Sequence, residues 1–136
     1  MIGSGTTLVG PNATLTLSGA AAKNLYHGGT GSGGRALANS GTIVWRDGGN
    51  LLLGDGAQFF NRSGSLLVIQ NDASIAYIGF GNGGTITNEG TLRKTTATGT
   101  TTLAQAFTTN NGLIDTQSGT MAFTGGSTAT VRPTIS

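Results

Sequence analysis

The chain contains no cysteine, so neither disulfide staples nor a thiolate-bound metal can hold it together. It has two prolines and a single histidine, His27. One imidazole alone does not make a metal site. Charge is scarce as well: Asp, Glu, Lys and Arg make up 9% of residues, against about 25% in an average soluble protein. The seven basic residues are scattered, with only Arg93 and Lys94 adjacent, and the net charge is +2. Nothing here resembles the clustered basic face of a nucleic-acid binder. No run approaches the roughly 20 apolar residues of a membrane-crossing helix. Met1-Ile2-Gly3-Ser4 does not open a secretory signal peptide. Targeting is therefore expected to have been removed, or the chain to be a piece of a longer one.

Glycine, by contrast, is abundant, at 25 of 136 residues. Thr, Ser and Asn fill most of the remaining polar positions. Gly and Thr are poor in helices, and no window places apolar residues at helical spacing. Short alternating runs of Thr, Val, Ile and Leu between Gly/Asn clusters point to strands and tight turns.

Those runs repeat. Aligned on an opening glycine, units begin at Gly5, Gly41, Gly64, Gly90 and Gly112, with spacings of 36, 23, 26 and 22 residues. Two residues on stand Thr7, Ile43, Leu66, Leu92 and Ile114. A second alternating run follows: Leu15/Leu17, Leu51/Leu53, Ile75/Tyr77, Thr101/Leu103 and Met121/Phe123. A third precedes the glycine: Leu37, Phe59-Phe60, Ile86 and Phe107. Three short strands in a period in the low twenties make one coil of a parallel β-helix. An antiparallel sandwich competes, but its hairpins would not need Asn-x-Gly to recur. The chain is expected to be all-β, a single right-handed parallel β-helix of about five coils of 22–26 residues, spanning 1–136 as one domain.

Asn39, Asn61, Asn88 and Asn110 stand just before Gly41, Gly64, Gly90 and Gly112 and mark a repeated corner. Gly would supply a positive φ there. Stacked Asn amides would bond to one another along the axis. Ile43, Leu66, Leu92 and Ile114 are expected to form one buried stack. The long first spacing is read as an insertion, loop 20–36, a candidate contact loop with Lys23, Tyr26, His27 and Arg35. The tail, 127–136, includes Thr128-Ala129-Thr130-Val131, which can still pair as a strand, and no end cap is recognisable.

Catalytic residues are not expected. The acids Asp47, Asp55, Asp72, Glu89 and Asp115 share no phase within the unit, so no column of carboxylates forms for a glycosidase or lyase. Gly-rich strings such as Gly79-Phe80-Gly81 lack a strand–helix context for dinucleotides. Thr-x-Thr pairs, the mark of an ice-binding face, fall at different phases. No cofactor and no metal is expected.

Units of the form N-x-G-T-[ILV], followed by S-G-T-[LM]-x-[LF]-x-G-G, resemble the secreted β-solenoid repeats of bacterial surface proteins. These include autotransporter passenger domains and filamentous-haemagglutinin-like adhesins. The resemblance runs from Gly5 to Gly126 and is clearest in "ITNEGTLRKT" and "FTTNNGLIDTQSGTMAFTGG". It implies export, an extended rod, and adhesion or matrix roles, and it transfers no catalytic residue. The expectation is a non-enzymatic building block of an extracellular filament, matrix or adhesin rod at the bacterial cell surface. Its partners would be further copies, stacked head-to-tail, or flanking repeats of a longer parent. The alternative is a carbohydrate- or receptor-binding adhesin module using loop 20–36, with glycans as partners. Neither nucleic acid nor membrane insertion is expected.

Overall fold

The computed structural model describes residues 1–28 and 34–129. The 29–33 part of the expected insertion and the 130–136 part of the tail, with Val131, lie outside the described residues.

The described residues form three parallel sheets, and the chain visits them in rotation. Sheet 1 holds β1 (Gly5–Val9), β4 (Arg35–Asn39), β7 (Gln58–Asn61), β10 (Thr85–Asn88), β13 (Ala106–Thr109) and β16 (Ser127–Ala129). Sheet 2 holds β2 (Thr14–Leu17), β5 (Thr42–Trp45), β8 (Leu66–Ile69), β11 (Thr91–Lys94) and β14 (Leu113–Thr116). Sheet 3 holds β3 (Lys23–Leu25), β6 (Leu51–Leu53), β9 (Ser74–Tyr77), β12 (Thr100–Leu103) and β15 (Thr120–Phe123). This is a β-solenoid of five coils with the first strand of a sixth. Each strand pairs in parallel with its counterparts one coil away, which removes the antiparallel sandwich.

Strands of three to five residues suffice because alternation buries every second side chain along the axis. Sheet 1 contributes the inward column Leu37, Phe59, Ile86 and Phe107. Sheet 2 contributes Leu15, Ile43, Leu67, Leu92 and Ile114. Sheet 3 contributes Leu51, Ile75, Leu103 and Phe123. Full burial of each such side chain is worth roughly 1.5–3 kcal/mol, and it accumulates coil by coil rather than around one centre.

The sheet 2 column corrects the expected stack. Leu67, not Leu66, pairs with both Ile43 and Leu92. Leu67 is buried and Leu66 is half-exposed on the outer face. The turn before β8 carries two residues more than the one before β5, so counting from Gly64 lands one position early. A one-residue slip in a strand exchanges its two faces. Coil 1 departs for a different reason: Gly5 opens β1 in sheet 1 and does not stand at the corner before sheet 2. Thr7 pairs with Leu37 in sheet 1, and Leu15 heads the column that continues through Ile43.

The insertion is also shorter than expected. Lys23 opens β3 and Arg35 opens β4, leaving only 26–34 between strands.

Candidate functional site

Three features of the solenoid have chemistry beyond packing: its first corner, a buried lysine, and a clasp of loops at the third corner. A fourth, the open ends, bears on assembly.

The first corner joins sheet 1 to sheet 2. Asn39, Asn61 and Asn88 lie in one inward column and are buried. The Asn39 amide donates to Asn61 Oδ1 at 2.9 Å, and Asn61 donates to Asn88 Oδ1 at 2.8 Å. The second N–H of each bonds the carbonyl that opens the sheet 2 strand of the next coil: Leu66, Thr91 and Leu113 respectively. Both amide protons of Asn39 and of Asn61 are thus used, as a buried polar group requires. The column begins at Val9 and passes from Asn88 to Thr109. Asn110, expected in this row, is exposed one position beyond it. Coil 5 needs an extra residue there, Asn111, which turns the chain at a φ of 58°.

The corner glycines serve a different purpose from the one expected. Gly41, Gly90 and Gly112 do not have positive φ. They are required because a Cβ would strike the coil beneath: the Gly10 and Ala13 carbonyls at Gly41, and the Arg62 and Ser65 carbonyls at Gly90. Gly64 alone of the four has positive φ, at 80°, with open space around it. Ser65 takes the buried corner place in that coil, donating from its hydroxyl to Asn61 Oδ1 at 2.8 Å.

Lys94, which with Arg93 reads from the sequence as a glycan contact or a solvated face, is instead fully buried. It stands in the inward column below Trp45 and Ile69. Its ammonium donates to the Asn71 carbonyl and to Asp72 Oδ1, both at 2.7 Å, and to Thr101 Oγ1 at 2.9 Å. The hydrogen bond from Lys94 holds the Asp72 carboxyl below the usual carboxylate range. The signal was legible: period two from inward Leu92 points Lys94 inward as well.

Three other acids are likewise engaged. Asp47 accepts from the Gly19 amide at 2.6 Å and Asp55 from the Gly28 amide at 3.2 Å. Asp115 accepts from Arg93 Nε at 2.7 Å and from Gln117 at 2.9 Å. Among the described residues, no three His, Cys, Asp or Glu side chains gather to hold a metal.

At the third corner, between sheets 3 and 1, loops from coils 1 and 3 close over coil 2. The Tyr26 ring meets Phe80 edge-on at 5.1 Å between centroids. Asp55 lies beneath them at a φ of 52°. Tyr77 donates its hydroxyl to the Gly81 carbonyl at 2.5 Å. Tyr77 and Phe80 remain exposed. Of the expected contact residues, only Tyr26 and His27 belong to this loop. Lys23 instead binds the Gly19 and Ala21 carbonyls at 2.5 and 2.8 Å. Arg35 donates to the Ser4 carbonyl and Thr7 Oγ1 at 3.1 and 2.5 Å. Both are structural pins, and neither projects from a loop.

Among the described residues, the two ends differ in which sheet carries the outermost strand. At the first end, Met1–Gly3 covers sheet 3. The Met1 amino group donates to the Asn24 carbonyl at 2.7 Å, and Ile2 bridges to Tyr26 in parallel. Sheets 1 and 2 end there at β1 and β2. A cavity of about 620 Å³ opens between Met1, Ile2, Thr7, Leu15, Leu17 and Lys23. At the last end, among the described residues, β16 covers sheet 1, while sheets 2 and 3 end at β14 and β15.

No family model matches the chain, and no curated protein or solved structure does either.

Proposed function

We propose that this solenoid is a non-enzymatic structural building block of an extracellular bacterial filament, matrix or adhesin rod, associating end to end. The observation that supports this reading most is the first end, where β1 and β2 present bare strand edges among the described residues. A core that runs along an axis is exposed wherever stacking stops, and the bare strand edge beside it recruits another chain. Here Ile2, beside the cavity, stands 60% exposed at the first end. Lys94, Asp47, Asp55 and Asp72 hold turns, and Arg93 pairs with Asp115 from one coil to the next. The repeat form resembles secreted bacterial solenoids, and the extracellular placement rests on that likeness. Flanking repeats of a longer parent would satisfy the same edges. Light scattering and electron microscopy at rising concentration test the reading. Rods growing along one axis are expected, and a chain that stays monomeric at high concentration would refute it.

A second reading has its own observation. Exposed Tyr77 and Phe80 beside Tyr26 form an aromatic ledge of the kind that sugar rings pack against. On this reading the module binds glycans through the third corner. A glycan array with Phe80→Ala as control tests it.

A further inference from the structure

The inward columns are nearly interchangeable from coil to coil. With coil 3 (β7–β9) looped out and β11 set directly on β5, Ile86 would meet Leu37 and Leu92 would meet Ile43. Asn39 would find the Asn88 amide in place of that of Asn61. Hydrophobic burial is non-directional, and a row of identical asparagines does not tell one coil from the next. A repeat of this kind needs a feature that makes the wrong stacking costly.

One column differs. At the inner end of the sheet 2 strands stand Leu17, Trp45, Ile69, Lys94 and Thr116, a different residue in each coil. We propose that Lys94 is a register lock: its ammonium, buried at the second corner, accepts coil 3 as the neighbour of coil 4 (β10–β12) and rejects coil 2 (β4–β6). Coil 3 supplies two of its acceptors, the Asn71 carbonyl and Asp72 Oδ1, both at 2.7 Å. Thr101 of coil 4 itself supplies the third, at 2.9 Å. The chain around the pair is cut to fit it. A Cβ on Gly99 would strike the Asp72 carboxylate, and one on Gly119 would strike Lys94 Cε.

Coil 2 offers nothing equivalent. In its turn, 46–50, the Gly49 carbonyl already accepts the Trp45 indole N–H at 3.0 Å. The acid of that turn, Asp47, is already bound to the Gly19 amide at 2.6 Å. Coil 4 set on coil 2 would therefore bury an ammonium without a counter-charge, which is far more costly than burying a paired one. The lock lies wholly within the described coils and does not depend on what flanks them.

A pair that only stabilised would behave differently. Apolar side chains often replace a buried ion pair without loss of stability, so the readout that separates the two roles is the distribution of registers. The chain has no cysteine of its own, and Thr42, Leu66 and Thr91 stand in one outward column on successive strands. Adjacent strands lie about 4.8 Å apart, inside the usual Cα separation of disulfides, roughly 4.4–6.8 Å. Thr42 and Thr91, two strands apart, fall outside it. Leu66→Cys/Thr91→Cys thus reports the observed register, and Thr42→Cys/Thr91→Cys reports the slipped one.

Both pairs should be refolded from denaturant in a thiol–disulfide buffer, and the cross-link within the monomer read by peptide mass. With Lys94 in place, the slipped cross-link should stay at background. Lys94→Met should raise the ratio of slipped to observed cross-link about tenfold or more while the chain still folds. Asp72→Asn should raise the same ratio, because the observed register then loses the charge that distinguishes it. A ratio that stays at background in Lys94→Met overturns the lock, since the apolar columns would then set the register alone. A Lys94→Met chain that no longer folds overturns it too, since Lys94 would then be a stabilising contact and nothing more. An unchanged ratio in Asp72→Asn shows that the carboxylate does not select the coil, and overturns the proposal in the same way.

Discussion

At the first corner the chain turns five times with two to four residues between strands, and three of those turns are tied by the same asparagine bond. At the third corner the connections run from two residues, Ala104-Gln105, to nine, 26–34, and nearly every contact is made once. The Gly84 amide donates to the Gln105 side chain at 2.7 Å, Gly28 donates to Asp55, and Tyr26 meets Phe80. A corner whose backbone path is fixed allows one side chain to be reused in each coil, because its partner always stands one coil away. A corner whose path varies must be secured locally, by whichever groups its loops bring together. The first plan makes stability cooperative along the axis. The second leaves surface free to differ from coil to coil.

The sharpest way to break this comparison is at the middle of the ladder. Asn61→Ala removes the donor to Asn88 and the acceptor for Asn39 and Ser65, and leaves the Thr91 carbonyl without its partner. Each orphaned buried group costs about 1–3 kcal/mol, so a total loss of about 3–5 kcal/mol is expected. Chemical denaturation measures it. A loss below about 1 kcal/mol would show that the ladder is incidental to the corner.

Leu67→Ala against Leu66→Ala tests the column beside it. The inward residue should cost about 2–5 kcal/mol as a core truncation, and the outward one within about 1 kcal/mol. Equal costs would mean that the two faces of β8 are not distinguished as the register requires.

The same substitutions show where the sequence was readable. Strand order, parallel stacking and the coil period followed from alternation and from the recurring Asn, since both depend only on neighbours in a repeating path. The error lay in taking glycine as the fixed point. Corner length alternates because a compact turn such as Ser40-Gly41 packs over a longer one such as Gly10–Ala13, and glycine serves both for different reasons. Asn is the better ruler, because its side chain must reach the next coil, and Asn39, Asn61 and Asn88 do stand in register. Even that ruler failed at Asn110, where Thr109 takes the place. The Tyr26–Phe80 contact was not legible at all. Those residues are far apart in sequence and meet only because two loops of unlike length lean over a third.

Gly90→Ala separates the two uses of glycine. Its Cβ would press on the Arg62 and Ser65 carbonyls, which are backbone and cannot swing away. An overpacking cost of about 1–3 kcal/mol is expected. Gly64→Asn should be nearly silent, because the site is open and Asn tolerates its positive φ. If Gly64→Asn is the more damaging of the two, corner packing is not what selects Gly90.

Between these corners lies the second, held by Lys94, and acidity tests it. The folded-state pKa of Asp72 is lowered, chiefly by its hydrogen bond from Lys94. The bond's contribution is therefore present above the unfolded carboxylate value, about 3.9, and is lost as pH falls through the lower folded value. Melting temperature followed from neutral pH into acid should fall for the parent chain. Asp72→Asn should flatten part of that limb; an unchanged acid limb would mean that the exposed carboxylate contributes nothing through titration.

The smallest effect is expected at the clasp, and it bears on what the third corner is for. Phe80 is 46% exposed and touches Tyr26 at its edge. An aromatic pair of this kind is worth about 0.5–1.5 kcal/mol beyond area burial, and half-exposure places Phe80→Ala at the low end. Against the expected loss for Asn61→Ala, the contrast restates the two plans in energy: the ladder holds the rod, and the clasp holds only its own loops. Hydrogen exchange should show the difference in space. Phe80→Ala is expected to speed exchange at Gly28 and around Asp55 and Gly81, leaving β8 and β11 protected. Asn61→Ala is expected to speed exchange in β7, β8 and β10 together. If Phe80→Ala instead loosens whole coils, the third corner is part of the rod's cooperative frame, and a freely varying binding surface is the wrong description of it.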